Sequence, residues 1–240
     1  MTMPSFRYGD KVYEYAIHFL ESRKKSISIH VLPDASVEVK APAHTKPQKI
    51  DETMKKRARW VARHVDQTQQ NLAQVLPREY ISGETHFYLG RRYVLKIVRS
   101  ELEQVKLIRG RFVVECRSPS KDRVRELLEA WYKEHAHAVF KRRLVSVAAD
   151  IQWIQKAPPI TVREMKKQWG SCSPKGRISL NWNLVKASMD CIDYVITHEL
   201  CHLKEHNHSK QFYTLMDKHY PEWGPVKAKL DGMAELLLNE

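Results

Sequence analysis

The sequence has little cysteine and no cysteine-pairing motif. Cys116, Cys172, Cys191 and Cys201 form no Cys-x-x-Cys pair. Cysteines used in this way are typical of reduced thiols in a cytoplasmic protein rather than of a disulfide framework. The first residues also lack the basic segment and apolar core of a signal peptide. We therefore expect a cytoplasmic location.

Long apolar runs are missing as well. No stretch approaches the roughly 18 consecutive apolar residues typical of a transmembrane helix, so no membrane partner is expected. The 240 residues include 42% hydrophobic and 29% charged side chains, which suits a buried core beneath a solvated surface. We find no internal repeat and no low-complexity tract in the sequence.

Acidic residues are scarce relative to basic ones, and the formal net charge is +13. Residues 1–120 hold 22 Lys and Arg against 13 Asp and Glu, whereas residues 121–240 hold 19 against 15. A basic surface attracts polyanions, so contact with a nucleotide or a nucleic acid is one hypothesis, and a generally solvated basic surface is the other. Basic and aromatic residues mix most closely in residues 55–64, 90–99 and 140–144.

The first half of the chain combines short alternating segments with one long amphipathic segment. Apolar residues at helical spacing predict a helix over about residues 48–76, whereas period-two alternation predicts strands. The predicted strands and hairpins are residues 26–32, 37–40, 86–98 with a turn at Gly90, and 105–116 with a turn around Gly110. We therefore predict a strand-rich basic region over 1–120 that contains one long helix.

The second half is mostly helical in pattern. Ser120 or Asp122 can cap a helix that continues to about residue 148. The segment "RISLNWNL" alternates like a strand, and further helices are predicted near residues 189–204, 208–219 and 224–238. The predicted fold class is α+β, with the helical region over 121–240.

Histidine is concentrated in one segment, where four of the twelve histidines lie within residues 198–208. His198, Glu199 and His202 form an H-E-x-x-H motif on a predicted helix. Residues four apart share a helix face, so both imidazoles can reach one zinc ion. The glutamate between them can take a proton from a metal-bound water. The spacing predicts one zinc ion with Glu199 as the catalytic base.

The helical wheel places Glu199 on an apolar arc. At about 100° per residue, Glu199 falls between Val195 and Ile192, with His198 and His202 at the edge of the arc. A carboxylate on an apolar face is costly unless it is paired, and a metal with its water is such a partner. A solvated position for Glu199 is the alternative, and the wheel argues against it.

The third metal ligand has several candidates. His206 continues the spacing, but on an unbroken helix it would lie about 12 Å along the axis from His198, too far to share one ion. The helix is therefore expected to end first, so that His208 approaches from the start of the next helix. Glu222 or Glu235 is the alternative third ligand, and His206 is expected not to bind the ion.

Two neighbouring motifs carry a family resemblance. "QWGSCSPKGRISLNWNLV" (168–185) followed by "HELCHLKEHNHSKQFY" (198–213) resembles the YgjP-like metallopeptidases, relatives of the SprT-like and WLM-type zinc proteases. The resemblance implies a minimal zincin-like core of helices and a small sheet, preceded by the strand-rich region. It also implies His198, His202 and His208 as zinc ligands.

The implied activity is zinc-dependent hydrolysis of peptide bonds by a Glu199-assisted metal-bound water, without a covalent intermediate. The resemblance further implies that the strand "GRISLNWNL" forms a rim of the active-site cleft, where an extended peptide could pair with it. Candidate cleft residues are Trp169, Gly170, Ser171 and Asn181, and Gly170 would let the backbone approach closely.

Two other functions are consistent with the same residues. The zinc site could hydrolyse a nucleotide phosphoanhydride or another phosphoester, or the chain could be a nucleic-acid-associated protein whose zinc is mainly structural. Three protein ligands plus water are typical of an enzyme, whereas four protein ligands are typical of a structural site. A peptide or protein substrate is the partner that the motifs favour.

Overall fold

A computed structural model describes residues 3–21, 23, 26–74, 77–165 and 168–238. The chain divides into two compact units, one within residues 1–76 and one within residues 77–238. The sequence places a boundary at residue 120, so its first region includes two hairpins that the structure groups with the second unit. Their inner faces share one apolar core with the helix that follows them, and this shared core explains the grouping.

The first unit consists of a hairpin, a small sheet and one long helix. The sheet has the order β3-β5-β4, with β3 parallel and β4 antiparallel to β5. The elements are β1 (Ser5–Tyr8), β2 (Lys11–Glu14), β3 (Ala16–Leu20), β4 (Ser28–Val31), β5 (Val37–Pro42) and α1 (Pro47–Gln74). Helix α1 buries Ile50, Met54 and Val61 against β5. Residues 75 and 76 of the predicted helix lie outside the described residues.

The second unit begins with a four-stranded sheet of order β6-β7-β9-β8 and a long helix. Strands β7 and β9 are parallel, and the outer strands are antiparallel to them. The elements are β6 (Thr85–Tyr88), β7 (Arg91–Arg99), β8 (Gln104–Ile108), β9 (Arg111–Cys116) and α2 (Lys121–Ala149). Both predicted hairpins are present, and Ser120 caps α2 by accepting a hydrogen bond from the Arg123 N–H.

The two units repeat one topology. In each, the strand that precedes the long helix lies between a parallel and an antiparallel neighbour, and that helix has 28 or 29 residues. Strands β2 and β3, separated by Tyr15 alone, stand where the second unit has the single strand β7. The sequence shows no repeat because strand order and direction are backbone properties that different side-chain patterns can satisfy.

The remainder of the second unit contains the H-E-x-x-H segment. A three-stranded sheet of order β10-β12-β11 precedes a 3-10 turn (Trp182–Lys186) and four helices. The elements are β10 (Ile160–Arg163), β11 (Gly170–Cys172), β12 (Ile178–Asn181), α3 (Met189–Cys201), α4 (Lys210–His219), α5 (Trp223–Asp231) and α6 (Ala234–Leu238). The predicted α+β class is confirmed, and the predicted last helix is divided into α5 and α6 by Gly232 and Met233.

Helix α3 is the central element of the second unit. Nine of its side chains are buried, and its neighbours hold it by polar contacts as well. Arg143 of α2 donates two hydrogen bonds of 2.7 Å to the carboxylate of Asp193. The hydroxyl of Tyr220, just after α4, donates to the Asp190 carbonyl at 3.0 Å. In the described part of the chain, no helix has the length and low polarity that a membrane span requires.

Candidate active site

Three histidines meet at the end of α3. His198 lies in its last turn, His202 is its C-cap, and His208 lies just before α4. One ring nitrogen of each lies within 4.8 Å of the others, and the Nε2 atoms of His198 and His208 are 3.0 Å apart. Two nitrogens bound at about 2.0–2.1 Å to one tetrahedral ion are roughly 3.4 Å apart. The group therefore has the dimensions of a zinc site.

The geometry depends on an early end to α3. The helix ends at Cys201, three residues before the predicted end, and α4 begins after Ser209, whose hydroxyl accepts a hydrogen bond from the Phe212 N–H. The intervening chain turns back and brings His208 to the helix end. His206 lines the same cavity but is not a member of the group.

The alternative third ligands lie elsewhere. Glu222 occupies the N-cap of α5, where it is exposed, and Glu235 is buried in α6. Neither belongs to the cluster that His198, His202 and His208 form. Of the candidates that the sequence leaves open, His208 is thus the one that the structure brings to the helical pair.

The surroundings of the three imidazoles favour the neutral form that metal binding needs. Burial lowers the pKa of each ring, and for His198 burial together with the charges of His202 and His208 lowers it to about 3. The Nδ1 of His202 lies 2.9 Å from the Glu205 carbonyl, to which it donates, so Nε2 keeps its lone pair for a metal. Neutral imidazoles are the form that binds zinc.

Phe212 packs against all three rings. Its centroid lies 4.6–4.9 Å from each imidazole centroid, and its side chain is fully buried. This packing restricts the orientation of the three ligands. The sequence pattern alone does not single out Phe212, although it lies four residues after His208, about one helical turn along the predicted helix.

Glu199 lies beside the histidines and is only 4% exposed. Its Oε2 atom has no hydrogen-bond partner within the described part of the chain. Burial raises the pKa of Glu199 to about 8. A cation on the neighbouring imidazoles would lower that pKa and compensate the buried carboxylate. Three neutral imidazoles next to such a carboxylate fit a zinc ion.

A cavity of about 590 Å³ opens over this group. One wall is formed by β11 and the residues around it, including Trp169, Gly170 and Ser171 from the predicted cleft set. Tyr194 and Asp231 also line the cavity, and the sequence pattern does not single out Tyr194 although it lies four residues before His198. The lining of the cavity around the histidines therefore combines strand β11 with residues of helices α3 and α5.

Asn181 does not line the cavity. Its side chain is fully buried, and its Nδ2 atom donates to the carbonyls of Met165 at 2.6 Å and Gln168 at 3.3 Å. Its backbone N–H donates to the Trp169 carbonyl at 2.8 Å. Asn181 thus fixes the segment that leads into β11, since polar groups buried in this way require partners.

The strand at the rim of the cavity is β11. The family resemblance implies instead that the rim is formed by "GRISLNWNL", the segment that contains β12. β12 is the central strand and pairs with β10 on one side and β11 on the other. β11 is an edge strand, and all three of its residues line the cavity. The edge that an extended chain could approach therefore belongs to β11.

The family described as YgjP-like, metallopeptidase domain, matches residues 25–233. The chain belongs to the YgjP-like metallopeptidase family. The resemblance carried by the two motifs is thereby confirmed. Membership supports a metal-dependent hydrolase of the metallopeptidase class, and the divalent metal of such enzymes is typically zinc.

Two solved metallopeptidase zymogens are similar to part of this family member. Abylysin of Pyrococcus abyssi is 27% identical, and the match covers 40% of this chain and 93% of abylysin with a TM-score of 0.35. Jannalysin of Methanocaldococcus jannaschii is 24% identical, and the match covers 40% of this chain and 92% of jannalysin with a TM-score of 0.32. Among curated proteins, none matches.

Proposed function

We propose that the protein is a zinc-dependent metallopeptidase in which Glu199 is the catalytic base. One observation carries the proposal: one ring nitrogen from each of three histidines lies within 4.8 Å of the others, beside a buried Glu199 oxygen that has no hydrogen-bond partner in the described chain. His198, His202 and His208 would hold one ion. Zinc bound there supplies Lewis-acid polarisation of a carbonyl and lowers the pKa of a water molecule.

Glu199 has the position and surroundings of a general base. Its carboxylate accepts the proton of the attacking water and passes it to the leaving nitrogen of the cleaved bond. Its burial among apolar neighbours keeps the carboxylate from being solvated, so its basicity is retained for that proton. The packing of Phe212 on the imidazoles holds the ligands in place during these transfers.

The cavity supports a peptide rather than a nucleotide as the substrate. None of the cavity-lining residues that the structure describes is Lys or Arg, whereas Glu199 and Asp231 contribute carboxylates. A polyphosphate would meet no compensating cation from these side chains. An extended peptide can instead add main-chain hydrogen bonds to the edge strand β11.

Glu199→Gln tests this proposal. We expect about one zinc ion per chain in both the wild type and the variant, with hydrolysis of an unfolded protein lowered roughly 100-fold or more in the variant. Glu222→Gln is the matched control, because Glu222 is exposed and outside the histidine group. Failure to bind zinc, or full activity in Glu199→Gln, contradicts the proposal. Turnover of a nucleotide panel instead of peptides favours the phosphoanhydride alternative.

We propose nucleic-acid contact as a second function, located on α1. Lys55, Lys56, Arg57, Arg59 and Arg63 are all exposed, and no acidic residue lies between positions 53 and 65. Trp60 is 40% exposed and its ring packs, tilted, against that of His64, with ring centroids 4.2 Å apart. Cations that flank an exposed aromatic ring suit a single-stranded nucleic acid, because phosphates pair with the cations and bases stack on the ring.

The salt dependence of binding tests this second proposal. We expect the affinity for a labelled single-stranded oligonucleotide to fall steeply with salt. The double variant Arg59→Gln and Arg63→Gln should reduce the logarithmic slope by about 1 to 1.5. The control neutralises Lys141 and Arg142, which are equally exposed on α2. Binding that is absent, insensitive to salt or weakened equally by the control contradicts it.

A further inference from the structure

A second, smaller cavity adjoins two of the three histidines, His198 and His208. It has a volume of about 200 Å³ and shares Tyr194, His198 and His208 with the larger cavity. We call it the aromatic pocket, and its other lining residues are Phe212, Tyr213, Met216, Trp223 and Lys227. An apolar cavity of about 150 Å³ is known to hold a benzene ring, so the aromatic pocket has room for one ring-bearing side chain.

The walls of the aromatic pocket are held in place. The indole N–H of Trp223 donates to Asp217 at 2.7 Å, and the rings of Tyr213 and Trp223 have centroids 5.4 Å apart. Phe212 meets Tyr213 edge to face at 5.5 Å. Tyr213 is 41% exposed, whereas Met216 is 1% exposed, so Tyr213 stands at the mouth and Met216 at the base. A preformed pocket binds without the entropy cost of ordering its walls.

The charges around the aromatic pocket restrict its occupant further. Apart from the histidines, Lys227 is the one ionisable basic or acidic residue among the described residues that line the pocket. It forms an ion pair with Asp231, one turn later on α5. Its ammonium group repels a Lys or Arg side chain of a substrate. Because Lys227 is already paired with Asp231, an acidic side chain of a substrate would lose its hydration and gain only a weak attraction to Lys227. The aromatic walls therefore favour an uncharged ring.

We infer that the aromatic pocket is a substrate subsite that takes an aromatic side chain adjacent to the cleaved peptide bond. The inference rests on the proposed peptidase function. His198 and His208 face both cavities, so a carbonyl at the histidine group and a ring in the aromatic pocket can belong to neighbouring residues of one peptide. The pocket thus gives a preference for one kind of substrate side chain. The edge strand β11 gives no such preference, because it can pair with the main chain of any peptide.

Matched peptides test the inference. In a peptide set that differs at one residue beside the cleaved bond, we expect kcat/KM for Phe to exceed that for Gly or Lys by about tenfold or more. Tyr213→Ala should lower this preference by about fivefold or more, because the mouth of the pocket opens to water. The rate on the Gly peptide is the reference within each protein, since Gly does not use the pocket, and the preference is the ratio of the two rates.

Two control variants separate the ring of Tyr213 from other effects of the substitution. Tyr213→Phe keeps the ring and should keep the preference for Phe, because the ring forms the wall. Tyr8→Ala removes a tyrosine of similar exposure, 42% against 41%, from β1 in the first unit, and should leave the preference unchanged. A loss of preference in Tyr8→Ala equal to that in Tyr213→Ala would overturn the inference.

A binding measurement tests the aromatic pocket independently of catalysis. By calorimetry on the zinc-loaded protein, phenylalanine hydroxamate should bind about tenfold more tightly than glycine hydroxamate, and Tyr213→Ala should abolish the difference. Equal affinities in the wild type overturn the inference, as do equal rates for the Phe and Gly peptides. If no peptide is cleaved although zinc is bound, the proposed peptidase function fails, and the hydroxamate pair still decides whether the pocket takes a ring.

Discussion

A Cβ atom placed on Gly170 would lie 2.7 Å from Oε1 of Glu199 and 2.8 Å from its Cγ. Strand β11 therefore runs directly against the buried carboxylate, and a side chain at position 170 would displace it. The requirement is close approach rather than an unusual backbone conformation, since Gly170 is not among the residues with positive φ. The Trp-Gly step at the start of β11 is thus part of what positions the Glu199 carboxylate.

Gly170→Ala should separate catalysis from metal binding. The added methyl group pushes the Glu199 carboxylate away while the three histidines are untouched, so we expect zinc content to be unchanged. A displacement of about 1 Å should lower kcat/KM roughly 100-fold. The control is Gly224→Ala, because a Cβ there meets nothing within 4 Å. Equal activity of the two variants would show that Glu199 tolerates the extra methyl group.

The sequence predicts the burial of Glu199 better than it predicts the strands of the first unit. Helical periodicity alone predicts that Glu199 lies on an apolar arc, and Glu199 is 4% exposed in the structure. Periodicity works there because α3 is long and regular. Strands β1 to β3 have only four or five residues each and mostly exposed side chains, so they carry no clear alternation. They are absent from the prediction for that reason.

Tertiary contacts explain the remaining differences. Asn181 lies in a motif with cleft residues, yet its side chain turns inward to bind the carbonyls of Met165 and Gln168. Alternation along a strand does not tell which polar residue meets buried backbone and which meets the cleft. Phe212 and Tyr194 were missed similarly, because an apolar position on a helix does not reveal whether its neighbours are aliphatic or imidazole rings.

His208→Ala and His206→Ala should differ sharply in zinc affinity. His208 contributes a nitrogen to the group of three, whereas His206 lines the cavity without joining it. We expect the loss of His208 to weaken zinc binding by roughly 100-fold or more and the loss of His206 to change it by less than about threefold. Competition with a chromophoric chelator measures both. Equal weakening would place His206 among the ligands.

The metal-free protein should lose stability as the pH rises, and Glu199 should be the cause. Burial raises the pKa of Glu199 from its ordinary value of 4.5 to about 8. Between these pH values the folded chain keeps a proton that the unfolded chain has released, so stability present below about pH 4.5 is lost as the pH rises through 8.

Denaturant titrations with a chelator present can measure this effect. From pH 5 to pH 8, the free energy of unfolding of the wild type should fall by more than about 1 kcal/mol relative to that of Glu199→Gln. The histidines titrate in both proteins, so the comparison removes their contribution. Parallel pH profiles for the two proteins would mean that Glu199 ionises without cost in the folded state.

Gly90→Ala should destabilise the second unit more than Gly110→Ala. Both glycines have a φ of +76°, so both substitutions strain a hairpin turn by about 1 kcal/mol. Gly110 has open space around it, whereas a Cβ at Gly90 would lie 2.7 Å from Cβ and 2.8 Å from Cα of Ser188, the N-cap of α3. The Gly90 N–H also donates to the Lys186 carbonyl at 3.1 Å.

The β6–β7 turn must therefore move away from α3 when Gly90 is replaced, and we expect the free energy of unfolding to fall by about 2–4 kcal/mol in a denaturant titration. Losses of equal size in the two variants would show that backbone strain, and not the contact with α3, decides the stability at this turn.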